Sequence, residues 1–294
     1  MVKVRYPGQS MGASGTFLMI PFRFPHPGEG VLVMGIINLS PESFYDASRC
    51  ETLQQALSLA NEMIEEGANV LDIGAESSRP GSVPLSEQEE LKRLLPVVEK
   101  LADIVNIPIS VDTYKPAVAQ EVLKAGASII NDITGLQRYP EMAKTISRFQ
   151  AGVIVMHMQG TPKTMQDNPQ YADLMTEISE CLNESISIAI SAGIDPNKIA
   201  IDPGIGFGKT DSHNLQILKK LSRLKELGKP VLLGISRKSL IGNILNVDVE
   251  DRLEGSLSAT VFGVMQGASI IRTHDVQSTR RAVKVAEAII NEKG

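Results

Sequence analysis

The sequence predicts an α/β protein built as a single (β/α)8 TIM barrel, and three observations support that prediction. From residue 31 onward, short β-branched apolar runs alternate with longer segments of helical period. The runs number eight, and each is nearly continuous, as strands buried on both faces should be. A Gly-rich nucleotide turn after the first run is absent, which disfavours the competing open, doubly wound sheet.

The eight apolar runs give the expected strands in order along the chain. They cover residues 31–38, 69–74, 107–112, 128–132, 152–157, 198–202, 230–236 and 269–274. The clearest amphipathic segments between and after them, which give expected helices, are 52–67, 86–104, 116–126, 171–193 and 279–294. One of these helices opens with Ser86 and has Glu89 three residues later, which is the signature of a capping box.

The composition is that of an ordinary soluble globular protein. The chain has 294 residues, 43% of them apolar and 21% charged, and a formal net charge of −5. No basic stripe is present to bind nucleic acid, and no apolar run approaches the roughly 20 residues that span a bilayer. We expect a barrel domain over 31–294, preceded by a tail and barrel-capping segment with a short hairpin over 1–30. No signal peptide is evident, so we expect a cytoplasmic location.

Polar residues stand at or near the end of every predicted strand, where a barrel of this class places its active site. They are Asn38, Asp72, Asp112, Asn131 with Asp132, His157, Asp202, Ser236 with Lys238, and Arg272 with His274. Taken alone, Asp72 and Asp132 are most simply interpreted as caps of the following helices. Eight such ends converging on one mouth indicate a binding site, because buried polar groups are costly unless they are hydrogen-bonded or used.

An anion site is predicted near the seventh and eighth strands. Arg272 and His274 are two residues apart and so share a face, which gives two potential cations before a helix. The segment SRKS, residues 236–239, adds hydroxyl and ammonium donors at the neighbouring strand end. This arrangement suits a phosphate or diphosphate group.

A flat heterocycle is the second predicted ligand. Asp112, Asn131 and Asp202 offer carboxylate and amide groups that match ring nitrogens and amino groups. The glycines of 202–210 would let the backbone and Phe207 approach such a ring closely. A magnesium ion brought by a diphosphate needs few protein ligands, and Asn38 could supply one.

These segments resemble the dihydropteroate synthase family of the folate pathway, the target of sulfonamide drugs. The matching segments follow the family's order and cover essentially all of 31–294. They are MGIINLSPESFYD, DIGAESSRPGS, SVDTYKP, IINDITG, VMHMQGTP, DPGIGFGKT, GISRKSLIG, RLEGSLSA and IIRTHDV. The resemblance implies a transferase that joins 6-hydroxymethyl-7,8-dihydropterin diphosphate to p-aminobenzoate, releasing pyrophosphate. It also implies Mg²⁺, a carbocation-like displacement at the pterin methylene, and a homodimer.

The resemblance further implies a role for each matching residue. The pterin pocket corresponds to Asp112, Asn131, Asp202 and Lys238. We add Phe207 to this pocket because it lies in the Gly-rich loop 202–210, not because of the resemblance. The diphosphate site corresponds to Asn38, which would also hold the metal, and to Ser78, Arg272 and His274. The p-aminobenzoate region corresponds to Phe44, Arg79, Pro80 and Ser236. We expect Asp112, Lys238, Arg272 and His274 to carry the catalysis.

Two other functions remain open at this point. The methyltetrahydrofolate–corrinoid methyltransferases share the pterin carboxylates but bind no diphosphate, so SSRPG, SRKS and the Arg272–His274 pair disfavour them. A catalytically silent pterin-binding protein is the second alternative. Its support is the first loop, where Ala47 and Ser48 replace the family's usual Gly pair and reduce backbone freedom.

Overall fold

The structure, a computed structural model, describes residues 22–26, 28–40, 50–77 and 81–292. Eight parallel strands form a closed barrel in which each strand pairs with the next in sequence and β8 pairs with β1. The predicted (β/α)8 barrel is therefore confirmed. In the described part of the chain, no helix is both long and apolar enough to cross a membrane.

The strands lie within a few residues of the predicted runs. Their bounds are β1 Leu32–Asn38, β2 Val70–Gly74, β3 Ile109–Asp112, β4 Ile129–Asp132, β5 Gly152–Met156, β6 Ile199–Asp202, β7 Val231–Gly234 and β8 Ala268–Thr273. Each strand is short because only the section buried between the barrel interior and the helices has to be continuously apolar.

Helices follow the strands and surround the barrel. Their bounds are α1 Leu53–Glu65, α2 Glu87–Ile104, α3 Pro116–Lys124, α4 Glu141–Arg148, α5 Leu174–Ser191, α6 Asp211–Lys219, α7 Ser239–Leu245, α8 Leu253–Met265 and α9 Val276–Asn291. Two helices, α7 and α8, follow β7, whereas the sequence predicted one helix after each strand. A 3₁₀ turn, Val249–Asp251, joins them.

Side-chain caps fix where several helices begin. The Ser86 hydroxyl accepts a hydrogen bond from the Glu89 amide at 3.2 Å, as the sequence pattern predicted for α2. The full reciprocal capping box is found at α1, where Thr52 and Gln55 each accept from the other's backbone amide. Such caps satisfy backbone amides at the first turn of these helices.

The barrel interior begins with an apolar floor. Seven strand residues pack there with Phe22 and Phe24, whose rings meet edge to face with centroids 4.8 Å apart. The seven are Met34, Val70, Ile129, Ile154, Ala200, Leu232 and Ile270. The alternate strand residues form the larger core with the helices, as the period of two requires. The N-terminal segment therefore closes one end of the barrel.

Polar side chains replace apolar ones two residues further along several strands. Asp72 follows Val70, Asn131 follows Ile129, Asp202 follows Ala200 and Arg272 follows Ile270. Because residues two apart on a strand share a face, these groups point into the barrel above the floor. The next inward positions, at the mouth, hold Asn38, Asp112, Ser236 and His274. The fold thus gathers the polar groups at the carboxyl ends of the strands.

Candidate active site

A cavity of about 560 Å³ opens at the carboxyl ends of the strands. Seven of the residues that the sequence predicted for the site line it together. They are Asn38, Asp112, Phe207, Ser236, Lys238, Arg272 and His274. Asn131 and Asp202 are buried beside the cavity and do not line it. Four further predicted residues, Phe44, Ser78, Arg79 and Pro80, lie outside the described residues.

Arg272 is held between two carboxylates at the base of the cavity. Its Nε donates to Asp72 Oδ2 at 2.6 Å, and its Nη2 donates to Asp112 Oδ2 at 3.3 Å. Asn131 Nδ2 also donates to Asp72 Oδ2, at 3.3 Å. Asp72 is fully buried, so its charge is compensated mainly by the guanidinium. The network orients Arg272 toward the cavity while keeping it charged.

The two groups of this network that line the cavity differ in how firmly they hold their charge. Burial raises the pKa of Asp112 to about 7; Arg272 opposes the shift and Asp72 reinforces it. Burial disfavours the charge of Arg272, but Asp72 and Asp112 outweigh that effect and the net shift raises its pKa. Near neutral pH, Arg272 is a permanent cation and Asp112 is a carboxyl group poised to exchange its proton.

Lys238 and Phe207 form one wall of the cavity. The ammonium donates to the carbonyl of Ile205 and lies 4.9 Å from the centroid of the Phe207 ring. Burial lowers the pKa of Lys238 to about 8, and the nearby Asp202 opposes that shift. Burial likewise raises the pKa of Asp202, against the influence of Lys238. This wall therefore combines the flat apolar face of Phe207 with an ammonium group that loses its proton not far above neutral pH.

Of the two potential cations predicted at the end of β8, Arg272 has surroundings that favour its charge, whereas the surroundings of His274 favour a neutral ring. Burial lowers its pKa to about 3, and Arg272, Arg237 and Lys238 push in the same direction. Its Nδ1 lies 3.0 Å from Ser236 Oγ, and its backbone amide donates to the same oxygen at 3.2 Å. Which of the two side chains donates in the Ser236–His274 contact depends on the tautomer of the ring, and Nε2 carries the hydrogen when Ser236 is the donor.

The loop after β6 is shaped by close backbone contacts. Asp202 Oδ1 accepts from the Gly204 amide at 2.7 Å, and Gly204 has a φ of +68°. A Cβ on Gly204 would lie 2.0 Å from the carbonyl oxygen of His157, so only glycine fits there. The loop therefore presses against the end of β5 and places Phe207 beside the cavity.

His157 and Asp132 support the loops and do not line the cavity. His157 Nδ1 lies 2.9 Å from the Nζ of the buried Lys209, which also donates to the Phe207 carbonyl at 2.9 Å. Burial and then Lys209 lower the pKa of His157 to about 3. Asp132 accepts from the backbone amides of Thr134 and Leu136, so it stabilises a turn, in keeping with a capping role.

Two carboxylates of the site were missed in the sequence. The sequence places Asp72 among the strand-end groups and, taken alone, suggests a helix cap, whereas the structure shows a buried ion pair with Arg272. Its inward position, two residues after an apolar floor residue, was the available signal. Glu76 lines the cavity, accepts from Tyr114 Oη at 2.7 Å and pairs with Lys115 at 2.5 Å. It lies inside the DIGAESS segment, but nothing in the spacing distinguishes it from a solvent-exposed glutamate.

The described residues contain no group of three or more His, Cys, Asp or Glu side chains arranged to hold a metal ion. The oxygen donor expected for magnesium, the Asn38 side chain, lines the cavity at the end of β1. The donor chemistry therefore fits an ion that a bound diphosphate largely ligates itself, as Mg²⁺ usually is.

A barrel with a closed floor and a mouth lined by these polar groups has the architecture of an enzyme that acts on a small molecule. The sequence profile of the family described as "Pterin binding enzyme" matches residues 34–274. Among the relatives, the dihydropteroate synthases of Escherichia coli K12 and Bacillus subtilis 168 are 46% and 43% identical. The alignments cover 89% and 90% of this chain and 92% and 91% of those proteins. The chain belongs to the dihydropteroate synthase family.

Solved structures agree with this assignment. The Yersinia pestis dihydropteroate synthase in complex with a sulfonamide drug is 44% identical, with a TM-score of 0.88 over 92% of this chain and 100% of that one. The Xanthomonas albilineans dihydropteroate synthase with 4-aminobenzoic acid is 41% identical, with a TM-score of 0.83 over 90% and 95%. The expected family and transferase activity in folate synthesis are confirmed. These similarities favour the synthase over a corrinoid methyltransferase or a silent pterin-binding protein.

Proposed function

We propose that this barrel condenses 6-hydroxymethyl-7,8-dihydropterin diphosphate with p-aminobenzoate in the cavity at its mouth. The observation that carries the proposal is the placement of Arg272 between Asp72 and Asp112, with Lys238 across the same cavity. This arrangement provides a permanent cation beside a carboxyl group in one enclosed space. Such a site can bind a substrate that carries both an anion and a hydrogen-bonding ring.

The pterin half-site consists of Asp112, Asn131, Asp202, Phe207 and Lys238. Carboxylate and amide groups at three strand ends match the amino and ring N–H groups of a pterin. The Phe207 ring offers an apolar surface beside the Lys238 ammonium. The raised pKa values of Asp112 and Asp202 follow from burial, and a pterin N–H donor would stabilise their charged forms.

The diphosphate half-site consists of Asn38, Ser78, Arg272 and His274. Arg272 supplies the positive charge and His274 a neutral donor, so the leaving group meets one cation and one hydrogen-bond donor from β8. Asn38 would contribute its side-chain oxygen to Mg²⁺. The metal, when bound with the substrate, neutralises charge on the diphosphate.

The reaction breaks the bond between the pterin methylene carbon and the diphosphate oxygen, and the oxygen keeps the electron pair. The lone pair of the p-aminobenzoate nitrogen then forms the new C–N bond, and that nitrogen loses a proton. Positive charge develops on the pterin in the carbocation-like transition state. Asp112 as its carboxylate offsets that charge, while Arg272 stabilises the departing anion. The amine is already nucleophilic, so the site has to orient it and needs no dedicated general base to activate it.

The p-aminobenzoate region is assigned to Phe44, Arg79, Pro80 and Ser236. Of these, Ser236 lines the cavity and is anchored to His274. The amine has to reach the methylene while the departing diphosphate is still bound, so its site must adjoin both half-sites without overlapping the diphosphate. The other three, Phe44, Arg79 and Pro80, belong to the segments that follow β1 and β2 in the sequence.

The division of the chain and its assembly are part of the same proposal. Residues 1–30 form a tail and a barrel cap, which the packing of Phe22 and Phe24 on the barrel floor supports. The catalytic barrel covers 31–294. A homodimer is favoured by large apolar side chains that are exposed on α7, α8 and α9. These side chains are Ile244, Leu245, Phe262, Met265, Val285, Ile289 and Ile290. Sedimentation velocity would test the homodimer.

The test of the half-sites is a joint assay of dihydropteroate and pyrophosphate with and without Mg²⁺. We expect the two products in equal amounts, with strong dependence on the metal. Replacing Arg272 with lysine keeps a charge but loses the two-carboxylate geometry, and should lower kcat/KM by about 100-fold. Near-normal kcat/KM for that variant would refute the assignment of the diphosphate half-site.

A further inference from the structure

Arg237 lies between two residues of the site and lines the same cavity, but the sequence predicted no role for it. It separates Ser236 from Lys238, its side chain is 5% exposed, and its φ of +54° lies in the left-handed region that favours glycine. A bulky residue in this conformation persists only where its surroundings hold it firmly. The contacts of Arg237 therefore show what the loop after β7 is fixed against.

Two other segments of the described chain bind the side chain of Arg237. Its Nε and Nη2 donate to Asp275 Oδ2 and Oδ1 at 2.9 and 2.7 Å, a two-point pair in which the carboxylate is 14% exposed. Its Nη1 donates to the carbonyls of Val249 and Glu250 at 2.8 and 2.9 Å. Asp275 directly follows His274, so the pair ties the loop after β7 to the loop after β8.

The backbone of Arg237 is held as well. Its amide donates to Ser256 Oγ at 2.9 Å, and its carbonyl accepts from Arg252 Nη1 at 3.1 Å. The Arg252 guanidinium lies against Gly242 of α7, where a Cβ would come within 2.5 Å of its nitrogens. The segment RLEGS, which begins α8, thus packs beneath the loop that carries Lys238.

We propose that the Arg237–Asp275 ion pair is a positioning device that sets the distance between the pterin half-site and the diphosphate half-site. One partner adjoins Lys238 and the other adjoins His274, so the pair connects the two half-sites through rigid backbone. This inference rests on the half-sites proposed above. A substrate that carries both groups benefits only when both half-sites fit it at once, as in any linked two-point binding.

Two conservative variants test the pair. Asp275→Asn keeps the shape of the side chain but removes its charge, and Arg237→Lys keeps the charge but removes the two-point geometry. Calorimetry would measure Kd for the pterin diphosphate, for 6-hydroxymethyl-7,8-dihydropterin and for inorganic pyrophosphate with Mg²⁺. Glu89→Gln, which breaks the exposed Glu89–Arg93 pair on α2, is the matched control.

A positioning role predicts that the whole substrate loses more than its parts. In both variants, Kd for the pterin diphosphate should rise about tenfold and kcat/KM fall about 100-fold, while Kd for each fragment stays within about twofold. The double variant should be no worse than the worse single variant, because the two residues act as one unit. The control should match the unaltered protein.

Two results would overturn the positioning role alone. The first is an unchanged Kd and kcat/KM for the whole substrate. The second is a loss shared equally by the fragments and the whole substrate, which would show general support of the fold. Lys238→Met distinguishes these from a failure of the proposed function, since it should abolish binding of the pterin fragment. If it does not, the half-site assignment fails and the positioning role fails with it.

Discussion

Arg272 on β8 and Asp72 on β2 are 200 residues apart in the sequence, yet Arg272 Nε lies 2.6 Å from Asp72 Oδ2. Asp72 is fully buried, and its Oδ1 has no hydrogen-bond partner within the described residues. The guanidinium is thus the principal compensation for a charge deep in the barrel. The pair links the stability of the fold to the cation that the reaction uses.

Replacing Asp72 with asparagine should therefore affect both properties. Leaving Arg272 without its main buried partner should lower the free energy of unfolding by about 3 kcal/mol, as for other broken buried pairs. We expect kcat/KM to fall at least about 100-fold because the guanidinium loses its orientation. Urea unfolding and steady-state kinetics measure the two effects. The surface variant Glu89→Gln should change neither, and an unaltered unfolding curve for Asp72→Asn would contradict the prediction.

The pH dependence of kcat/KM should be bell-shaped. Asp112, with a pKa raised to about 7 by burial, gains its negative charge as the pH rises through that value. Lys238, with a pKa lowered to about 8 by burial, loses its positive charge as the pH rises further. If the reaction needs the carboxylate and the ammonium together, kcat/KM is greatest between these values and falls on both sides.

Variants assign the two limbs of that profile. Asp112→Asn should abolish the acid limb together with most of the activity. Lys238→Arg should keep a positive charge to high pH, so the alkaline limb should disappear from the range up to about pH 9.5. A limb that persists unchanged in the matching variant belongs to another group, and that residue's assignment would be wrong.

His274 should act as a neutral hydrogen-bonding group in the unliganded protein. Its pKa, lowered to about 3 by burial and by Arg272, predicts no titration of its ring between about pH 5 and about pH 8 in NMR spectra. His274→Gln retains a polar amide and should keep kcat/KM within about tenfold, whereas His274→Ala should lose more. A ring that titrates near pH 6.5 would show that the histidine is charged under working conditions.

Gly204 should be among the least replaceable glycines of the described chain. An alanine there needs a φ of +68° and brings its Cβ 2.0 Å from the His157 carbonyl oxygen. Gly228 is the matched control, because its φ is +65° and no atom lies within 4 Å of the added Cβ. Gly228→Ala should cost about 1 kcal/mol of unfolding free energy from the backbone conformation alone.

Gly204→Ala should cost at least about 3 kcal/mol, since it adds steric overlap to the same backbone cost. It should also raise KM for the pterin diphosphate, because the displaced loop carries Phe207. Thermal unfolding of the two variants measures the loss of stability, and steady-state kinetics measures KM for the pterin diphosphate. Equal losses for the two glycines would show that backbone conformation, and not contact with His157, is what matters.

The sequence was sufficient for the barrel because buried parallel strands leave continuous apolar runs. It was sufficient for seven of the residues that line the cavity, because strand ends converge in such a barrel. It could not distinguish the two roles of a strand-end aspartate, so Asp72 was interpreted as a cap although it pairs with Arg272. Asp132 has the same local pattern and does stabilise a turn. Only the direction of each side chain, which depends on the register of the sheet, separates the two.

Two further properties depend on tertiary structure alone. The lowered pKa of His274 arises from burial and three neighbouring cations, of which only Arg272 belongs to the IIRTHDV segment. The pairing of Arg237 with Asp275 brings together residues that are separated by α7, α8 and β8. The sequence predicted anion donors in SRKS and in the Arg272–His274 pair, but it did not indicate that Arg237 and Asp275 pair with each other.

The floor of the barrel also bears on how such enzymes can diversify. Along each of several strands, an apolar residue is followed by a functional one after only two positions, or about 6.6 Å of chain. Selection can therefore alter the chemistry at the mouth while Val70, Ile129, Ala200 and Ile270 continue to hold the barrel together. A protein that keeps this floor could acquire a new substrate through a few substitutions, each two residues after a floor residue that stays the same.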